Sequence, residues 1–289
     1  MVTPSGPGQG PGRNPADFGQ RDAVGRAGPA WSDGRVILTA GELALLLLAG
    51  VGAGLTGATA GLASLVSYPA LLAAGLPPLA ANMTNTVAML GTTAGAAAGA
   101  RPELKGQGRR LLPLCLITTA GGGCGSLVLL LTPPGAFTKV VPWLIGGASL
   151  VLMAGPRLRR LAERAEHHGI GPVTGVAAFL VGVYGGYFGA AAGVLMLALL
   201  TTVWSQPLAR TNAAKNIATG TANLIAAAVF CFTGDVVWPA ALALCVGSVA
   251  GSWLGSVIVR YLPATPLRIA IGIGGLVLAV VLGRAAFAG

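Results

Sequence analysis

A lysine flanked by amide and hydroxyl side chains stands inside an apolar part of the chain. The segment TNAAKNIATG places Lys215 between Asn212 and Asn216, and Thr219 and Asn223 continue the series. Spacings of three and four residues put these side chains on one face of a helix. An ammonium supplies positive charge and N–H donors, and amides can orient the oxygens of a bound group. The pattern is therefore typical of a binding site for a small anion.

A second interpretation of Lys215 places its ammonium at the edge of the membrane. Lys215 follows Arg210 by only five residues, and a helix rises about 1.5 Å per residue. A lysine stem can extend to the interface and keep its charge in water. A site role and this snorkelling role both fit the sequence. The asparagines also have an alternative role as hydrogen-bonding contacts between helices.

The composition around this segment predicts a membrane protein. The chain of 289 residues is 54% hydrophobic and 9% charged, and its mean hydropathy is +0.77. About a quarter of the residues in a soluble domain are normally charged. Apolar runs of about 18 or more residues recur, and each can cross a bilayer as a helix. Because the runs are continuous rather than alternating, we expect an all-α, polytopic integral membrane protein and not a barrel.

Several other function classes are disfavoured. The net charge of +10 arises in short basic loops beside apolar segments, where it indicates membrane orientation rather than nucleic-acid binding. The four cysteines lie in apolar runs without a CxxC pair, so we expect neither a metal site nor a disulfide. The chain has no GxxxxGK(S/T) loop for ATP. We therefore expect a protein that is not an enzyme and has no cofactor.

The sequence divides into four parts. Residues 1–35 are rich in Gly and Pro and contain no apolar signal region, so we expect a disordered tail. Residues 36–155 and 171–287 are predicted to be two transmembrane repeats, joined by a charged cytoplasmic linker at 156–170. The predicted helices lie near 36–55, 58–75, 81–100, 111–131, 140–155, 171–187, 189–204, 211–232, 236–258 and 266–284.

The two halves match each other in a single register. The alignment that pairs Pro77 with Pro207 also pairs Asn82 with Asn212 and Cys115 with Cys245, in addition to several glycines. Internal duplication is common among transporters. Placing the basic loops in the cytoplasm requires an odd number of passes in each half. The second repeat is then inverted relative to the first.

Two further sets of candidate site residues follow from the duplication. The first half carries its own polar stripe, from which we select Asn82, Thr84, Asn85 and Thr86. Glycines are dense before each stripe, and they allow a break in the helix where backbone N–H groups bind an anion. Close helix packing is the alternative role for these glycines. The complete set of predicted substrate-binding residues is Asn82, Thr84, Asn85, Thr86, Asn212, Lys215, Asn216, Thr219, Gly185, Gly186 and Gly189.

Residues 40–285 resemble the TauE/SafE family of sulfite exporters and related anion transporters. The resemblance is carried by SYPALLAAGLPPLAANMTNTVA and GVYGGYFGAAAGVLMLALL, and by the order in which a Gly-rich run, an apolar stretch and a polar-headed helix are duplicated. It implies a carrier in the bacterial cytoplasmic membrane for small sulfur-containing or organic anions. Lys215 and Asn216 depart from the Thr-Ser of many members, and Leu199 stands where the first repeat has Pro69.

These observations predict a secondary transporter that exports a small anion such as sulfite or a sulfonate by alternating access between inverted repeats. Coupling to protons or sodium, and assembly as a homodimer, stay open at this point. Two alternatives remain. One is a membrane scaffold that assists assembly of a sulfur or metal enzyme, and the other is a passive anion channel.

Overall fold

The computed structural model describes residues 31–32, 35–36, 38–163, 171–258 and 265–287. Within these ranges the chain forms one short antiparallel pair, in which β1 is Trp31–Ser32 and β2 is Arg35–Val36. The same ranges contain eleven helices: α1 Ala40–Ala60, α2 Ala63–Ala73, α3 Pro78–Gly99, α4 Arg101–Leu104, α5 Gly108–Leu131, α6 Pro134–Glu163, α7 Pro172–Tyr187, α8 Ala192–Val203, α9 Leu208–Thr233, α10 Trp238–Ile258 and α11 Thr265–Phe287.

The predicted all-α membrane architecture is confirmed. Five of the described helices, α1, α5, α6, α9 and α10, are long and apolar enough to cross a membrane. Large apolar side chains cover the outside of the bundle, where Leu131, Val173 and Phe232 are each more than four-fifths exposed. Polar side chains such as Asn82 and Lys215 are buried instead. This distribution suits a protein whose exterior is solvated by lipid.

The structure differs from the predicted helices in three places. Helix α6 begins at Pro134 and ends at Glu163, beyond both predicted limits of 140 and 155. Its C-terminal extension contains Leu, Arg, Ala and Glu, which are strong helix formers. The short helix α4 lies between the helices predicted at 81–100 and 111–131. The β1–β2 pair occupies the end of the predicted tail. The remainder of that tail, and residues 164–170 of the predicted linker, lie outside the described residues.

Helix boundaries recur between the two halves. The register that pairs Pro77 with Pro207 also aligns the first residue of α3 with that of α9, and the first residue of α5 with that of α10. The two prolines cap α3 and α9, where a missing N–H costs nothing. Contacts also recur, because α1 packs on α10 and the equivalent helix α7 packs on α5. The inverted orientation of the two halves stays a prediction.

Both Gly-rich segments are interrupted. Helix α1 ends at Gly61, which adopts the left-handed conformation with a φ of 77° and donates its N–H to Gly57. Helix α2 then turns back, since a Cβ built on Gly52 would lie 3.5 Å from a methyl carbon of Val66. Helix α7 is followed by a second interruption at residues 188–191. Helices α2 and α8 have 11 and 12 residues, fewer than the roughly 20 that span a bilayer.

Glycines allow the helices of the two halves to touch through their backbones. A Cβ built on Gly54 of α1 would lie 2.6 Å from the Ser252 nitrogen of α10, and one on Gly251 would lie 2.7 Å from the Val51 carbonyl carbon. On the other side, a Cβ on Gly121 would lie 2.9 Å from the Val183 nitrogen. Membrane helices associate through such small-residue contacts because lipid provides no hydrophobic drive.

Adding one methyl group at a backbone contact should therefore destabilise the protein. We expect Gly251→Ala to lower the melting temperature of the detergent-purified protein by several degrees, because overpacking costs about 1–3 kcal/mol. Gly147→Ala is the matched control, since a Cβ on Gly147 of α6 meets no atom within 4 Å. An unchanged melting temperature in Gly251→Ala would contradict the described packing of α1 on α10.

Candidate functional site at the two helix breaks

The interruptions of the two halves meet inside the protein. A Cβ built on Gly61, at the end of α1, would lie 2.6 Å from the carbonyl carbon of Gly193 in the first turn of α8. A Cβ built on Gly193 would likewise lie 2.6 Å from the Gly61 Cα. Only residues without a side chain permit this approach. The glycine at each of these two positions therefore lets the breaks cross in the interior.

A cavity of about 60 Å³ lies beside this crossing. A water molecule needs about 10–15 Å³ by this measure, so the cavity has room for roughly five waters or one small oxyanion. Both breaks contribute to its wall, as do α3, α5 and α9. The hydroxyl groups in the wall belong to Ser64, Thr92, Thr93, Thr118 and Thr219.

Lys215 is the charged residue among the described residues that line the cavity. Its side chain is 1% exposed, and its Nζ donates to the Gly57 carbonyl oxygen at 3.1 Å. The ammonium is thus buried beside the break of α1. This position is inconsistent with the snorkelling alternative, in which Lys215 reaches the membrane edge. The structure places the lysine in the wall of the cavity.

The two asparagines that flank Lys215 bind the same helix end. Asn212 and Asn216 donate to the Ala58 carbonyl oxygen at 2.7 and 3.3 Å. Asn216 also lines the cavity, together with Thr219 and Asn223. Asn212 lies one turn earlier in α9 and is not among the lining residues. Helix α9 therefore contributes both the polar wall of the cavity and the donors for the last turn of α1.

The predicted first-half residues make hydrogen bonds inside the helix bundle. The Asn82 amide donates to the Tyr187 carbonyl oxygen at 2.9 Å, at the end of α7. This bond repeats, at the opposite break, the bond of Asn212 to Ala58. The Asn85 side chain bonds to Ser64 and to Ser67 of α2.

The two threonines of the predicted first-half set also make bonds within the bundle. Thr84 accepts from the Val237 amide at 3.0 Å, and Thr86 donates to the Asn82 carbonyl at 3.0 Å. Neither they nor Asn82 and Asn85 line the cavity. They order the helices around it.

Helix α3 does reach the cavity, one to two turns beyond the predicted residues. Met89, Thr92 and Thr93 line it from that side. In the sequence, polar side chains continue at helical spacing to Thr93 in the first half and to Asn223 in the second, and this continuation is a signal for the cavity wall. Ser64 and Thr118 carried no such signal, because only the packing of α2 and α5 brings them to the wall.

The predicted glycines separate into two groups. Gly185 and Gly189 line the cavity, and Gly189 adopts a positive φ of 74° in the break after α7. Gly186 faces α5 instead, where its Cβ would lie 2.8 Å from the Cα of Gly122. Ala191 also has a positive φ, 58°, which is strained for a residue with a side chain.

Helix ends determine the electrostatics of the cavity. Helices α2 and α8 begin at the cavity, which Ala63 and Ala192 both line. No side chain within the described ranges caps the N-terminal N–H groups of either helix. Helix N-termini carry a partial positive charge and bind anions through their N–H groups. With Lys215 nearby and no acidic residue among the described lining residues, the cavity is electropositive.

Known proteins resemble this chain over most of its length. A Sinorhizobium protein named "Probable membrane transporter protein ORF9" is 30% identical over 234 residues, which cover 78% of this chain and 85% of that protein. A Haemophilus influenzae protein named "Probable membrane transporter protein" is 29% identical over 231 residues, covering 78% and 88%. "Probable membrane transporter protein YfcA" of Escherichia coli K12 is 27% identical over 215 residues, covering 74% and 79%.

No solved structure matches the chain significantly. The family model described as "Sulfite exporter TauE/SafE" matches residues 46–282, which include both helix breaks, the cavity and all the predicted site residues. The chain therefore belongs to the TauE/SafE family of membrane transporters.

Proposed function

We propose that this protein exports a small oxyanion across the cytoplasmic membrane by alternating access between its two halves. Sulfite or a compact sulfonate is the proposed substrate class. The observation that carries the proposal is the electropositive cavity, at which a buried ammonium and two helix N-termini meet where the halves cross. Family membership supports transport, and the cavity chemistry supports an anion.

The size of the cavity favours a compact substrate. A space for roughly five waters suits an ion of the size of sulfite better than a long organic acid. Threonine and serine hydroxyls in the wall can donate to its oxygens, and the first turns of α2 and α8 can supply backbone N–H groups. Lys215 supplies the countercharge, which acts strongly in this surrounding of low dielectric constant.

The matching construction of the two halves supports the proposal of alternating access. Each break is bonded by asparagines of the opposite half, Asn82 at Tyr187 and Asn212 at Ala58. Rocking of one half against the other would open the cavity toward one side at a time, and these bonds between the halves would have to adjust during the motion. The scaffold alternative predicts a core without a cavity, so the cavity favours transport. Coupling to a proton or sodium gradient and a homodimer stay predictions.

Replacing the lysine by a neutral side chain of similar length should abolish transport. We expect Lys215→Met to reduce anion efflux from proteoliposomes at least tenfold, because an anion in the cavity loses its countercharge. Efflux of sulfite is measured with equal amounts of reconstituted protein. Lys139→Met is the matched control. Lys139 is exposed on α6, so this variant should transport at the native rate. Wild-type efflux in a well-folded Lys215→Met variant would refute the charge role.

Compact oxyanions should stabilise the purified protein more than bulky ones. A ligand that binds only the folded state, at a hundred times its dissociation constant, adds about 2.7 kcal/mol, which corresponds to a melting-temperature rise of about 5 °C or more. We expect sulfite to produce such a shift and sulfoacetate or larger carboxylates to produce less. Thermal shift with sulfite, sulfate, thiosulfate and these acids at constant ionic strength measures the order. Equal shifts for all anions, or none, would contradict an anion site of this size.

A further inference from the structure

Three side chains of α9 converge on two consecutive carbonyl groups at the end of α1. The Gly57 oxygen accepts from the Lys215 ammonium at 3.1 Å and from the Gly61 N–H at 2.9 Å. The Ala58 oxygen accepts from Asn212 and Asn216. The C-terminus of a helix carries a partial negative charge. The Lys215 Nζ atom therefore lies at the negative end of a broken helix.

Dissolved cations bind at equivalent places in other membrane proteins. In transporters built from repeats, carbonyl groups of unwound segments and C-terminal ends of half-helices coordinate Na⁺ or H⁺. The atoms at the end of α1 are of the kind that such a cation needs, because carbonyl oxygens are hard ligands suited to alkali and alkaline-earth cations. In this chain, a side chain supplies the positive charge at that place.

A buried oxygen of Asn212, whose amide nitrogen bonds to the end of α1, adds to the acceptor character of this region. The Oδ1 atom of Asn212 is buried and has no hydrogen-bond partner among the described residues. Its orientation is fixed, because exchanging O and N would set two acceptors 2.7 Å apart at Ala58. Asn212 precedes Lys215 by one turn on the same helix. A buried amide oxygen without a donor is what a cation or its bound water would satisfy.

The equivalent position in the first half carries no charge. The register that pairs Asn82 with Asn212 pairs Asn85 with Lys215, and the Asn85 side chain bonds to α2 rather than to the end of α7. At that break, Asn82 is the asparagine that binds the Tyr187 carbonyl, and its own Oδ1 is also buried without a described partner. The two breaks thus share their asparagine contact and differ in the ammonium.

We propose that Lys215 is a covalently attached substitute for a bound monovalent cation at the end of α1. The native protein then needs no dissolved alkali ion at this break, because the Nζ atom of Lys215 already lies at the helix end and donates to the Gly57 carbonyl oxygen. Removal of the lysine leaves a pocket of carbonyl and amide oxygens that accepts Na⁺ or K⁺. The proposal deepens the proposed transport function, on which it rests, in one respect: coupling of transport would not involve an alkali ion at this break.

The test compares thermal unfolding of the purified protein in chloride salts of Na⁺, K⁺ and N-methyl-D-glucamine at equal ionic strength. The native protein should melt at the same temperature in all three. Lys215→Asn, which places the first-half residue at this position, should melt lower in N-methyl-D-glucamine. The melting temperature of this variant should rise by about 5 °C, in a saturable manner, when Na⁺ or K⁺ is added. Lys215→Thr provides a second variant if asparagine is not tolerated.

Two controls make the outcome specific to this pocket. Lys139→Asn, which removes an exposed lysine of α6, should not respond to the cation. Adding Asn212→Leu to Lys215→Asn removes the unpaired oxygen and should abolish the recovery. A native protein stabilised by Na⁺, or variants indifferent to both cations, would overturn the proposal. Because these measurements use no anionic substrate, such a failure would leave the anion-transport proposal intact.

Discussion

Backbone groups at membrane depth must be satisfied by the protein itself, and this constraint governs the whole structure. Lipid offers no hydrogen bonds, so an interrupted helix is tolerated only where other parts of the protein bond to its free ends. The chain interrupts two helices, and side chains of each half bond to the free helix end of the other half. Asn212, Asn216 and Lys215 bond to the end of α1, and Asn82 bonds to the end of α7. Each half thus completes the break of the other.

This exchange explains why so much of the chain is glycine. Side chains of α9 can reach the end of α1 only if the helices of both halves lie close together. Contacts such as those of Gly54, Gly121 and Gly251 bring helix backbones into direct contact, and Gly61 and Gly193 let the breaks cross. The same glycines weaken individual helices by up to about 1 kcal/mol each. In this fold, packing between the halves offsets the reduced stability of the Gly-rich helices, which isolated helices would not tolerate.

Much of this arrangement follows from local pattern. Helical periodicity and apolar run length predict the ten main helices, and the spacing around Lys215 identifies the face that lines the cavity. The hydrogen-bond partner of each polar side chain cannot be predicted in this way. A sequence pattern shows which side chains share a helix face, but not which other helix packs against that face. Asn85, Thr84 and Thr86 have the right types and spacing for a binding site, yet their bonds are to α2, to the start of α10 and to their own helix. Gly185 and Gly186 are adjacent in the sequence, yet Gly185 lines the cavity and Gly186 packs against α5.

A buried ammonium at Lys215 requires compensation from its surroundings. An ammonium inside a membrane protein is costly and needs negative charge nearby. The carbonyl end of α1 supplies part of that charge, but a helix end is worth only about half an elementary charge. In the proposed transport function, an oxyanion in the cavity would also face this ammonium, and the N-termini of α2 and α8 would help to hold it. Under that proposal the lysine, which donates to the Gly57 carbonyl, would neutralise the end of a helix and bind the substrate at the same time.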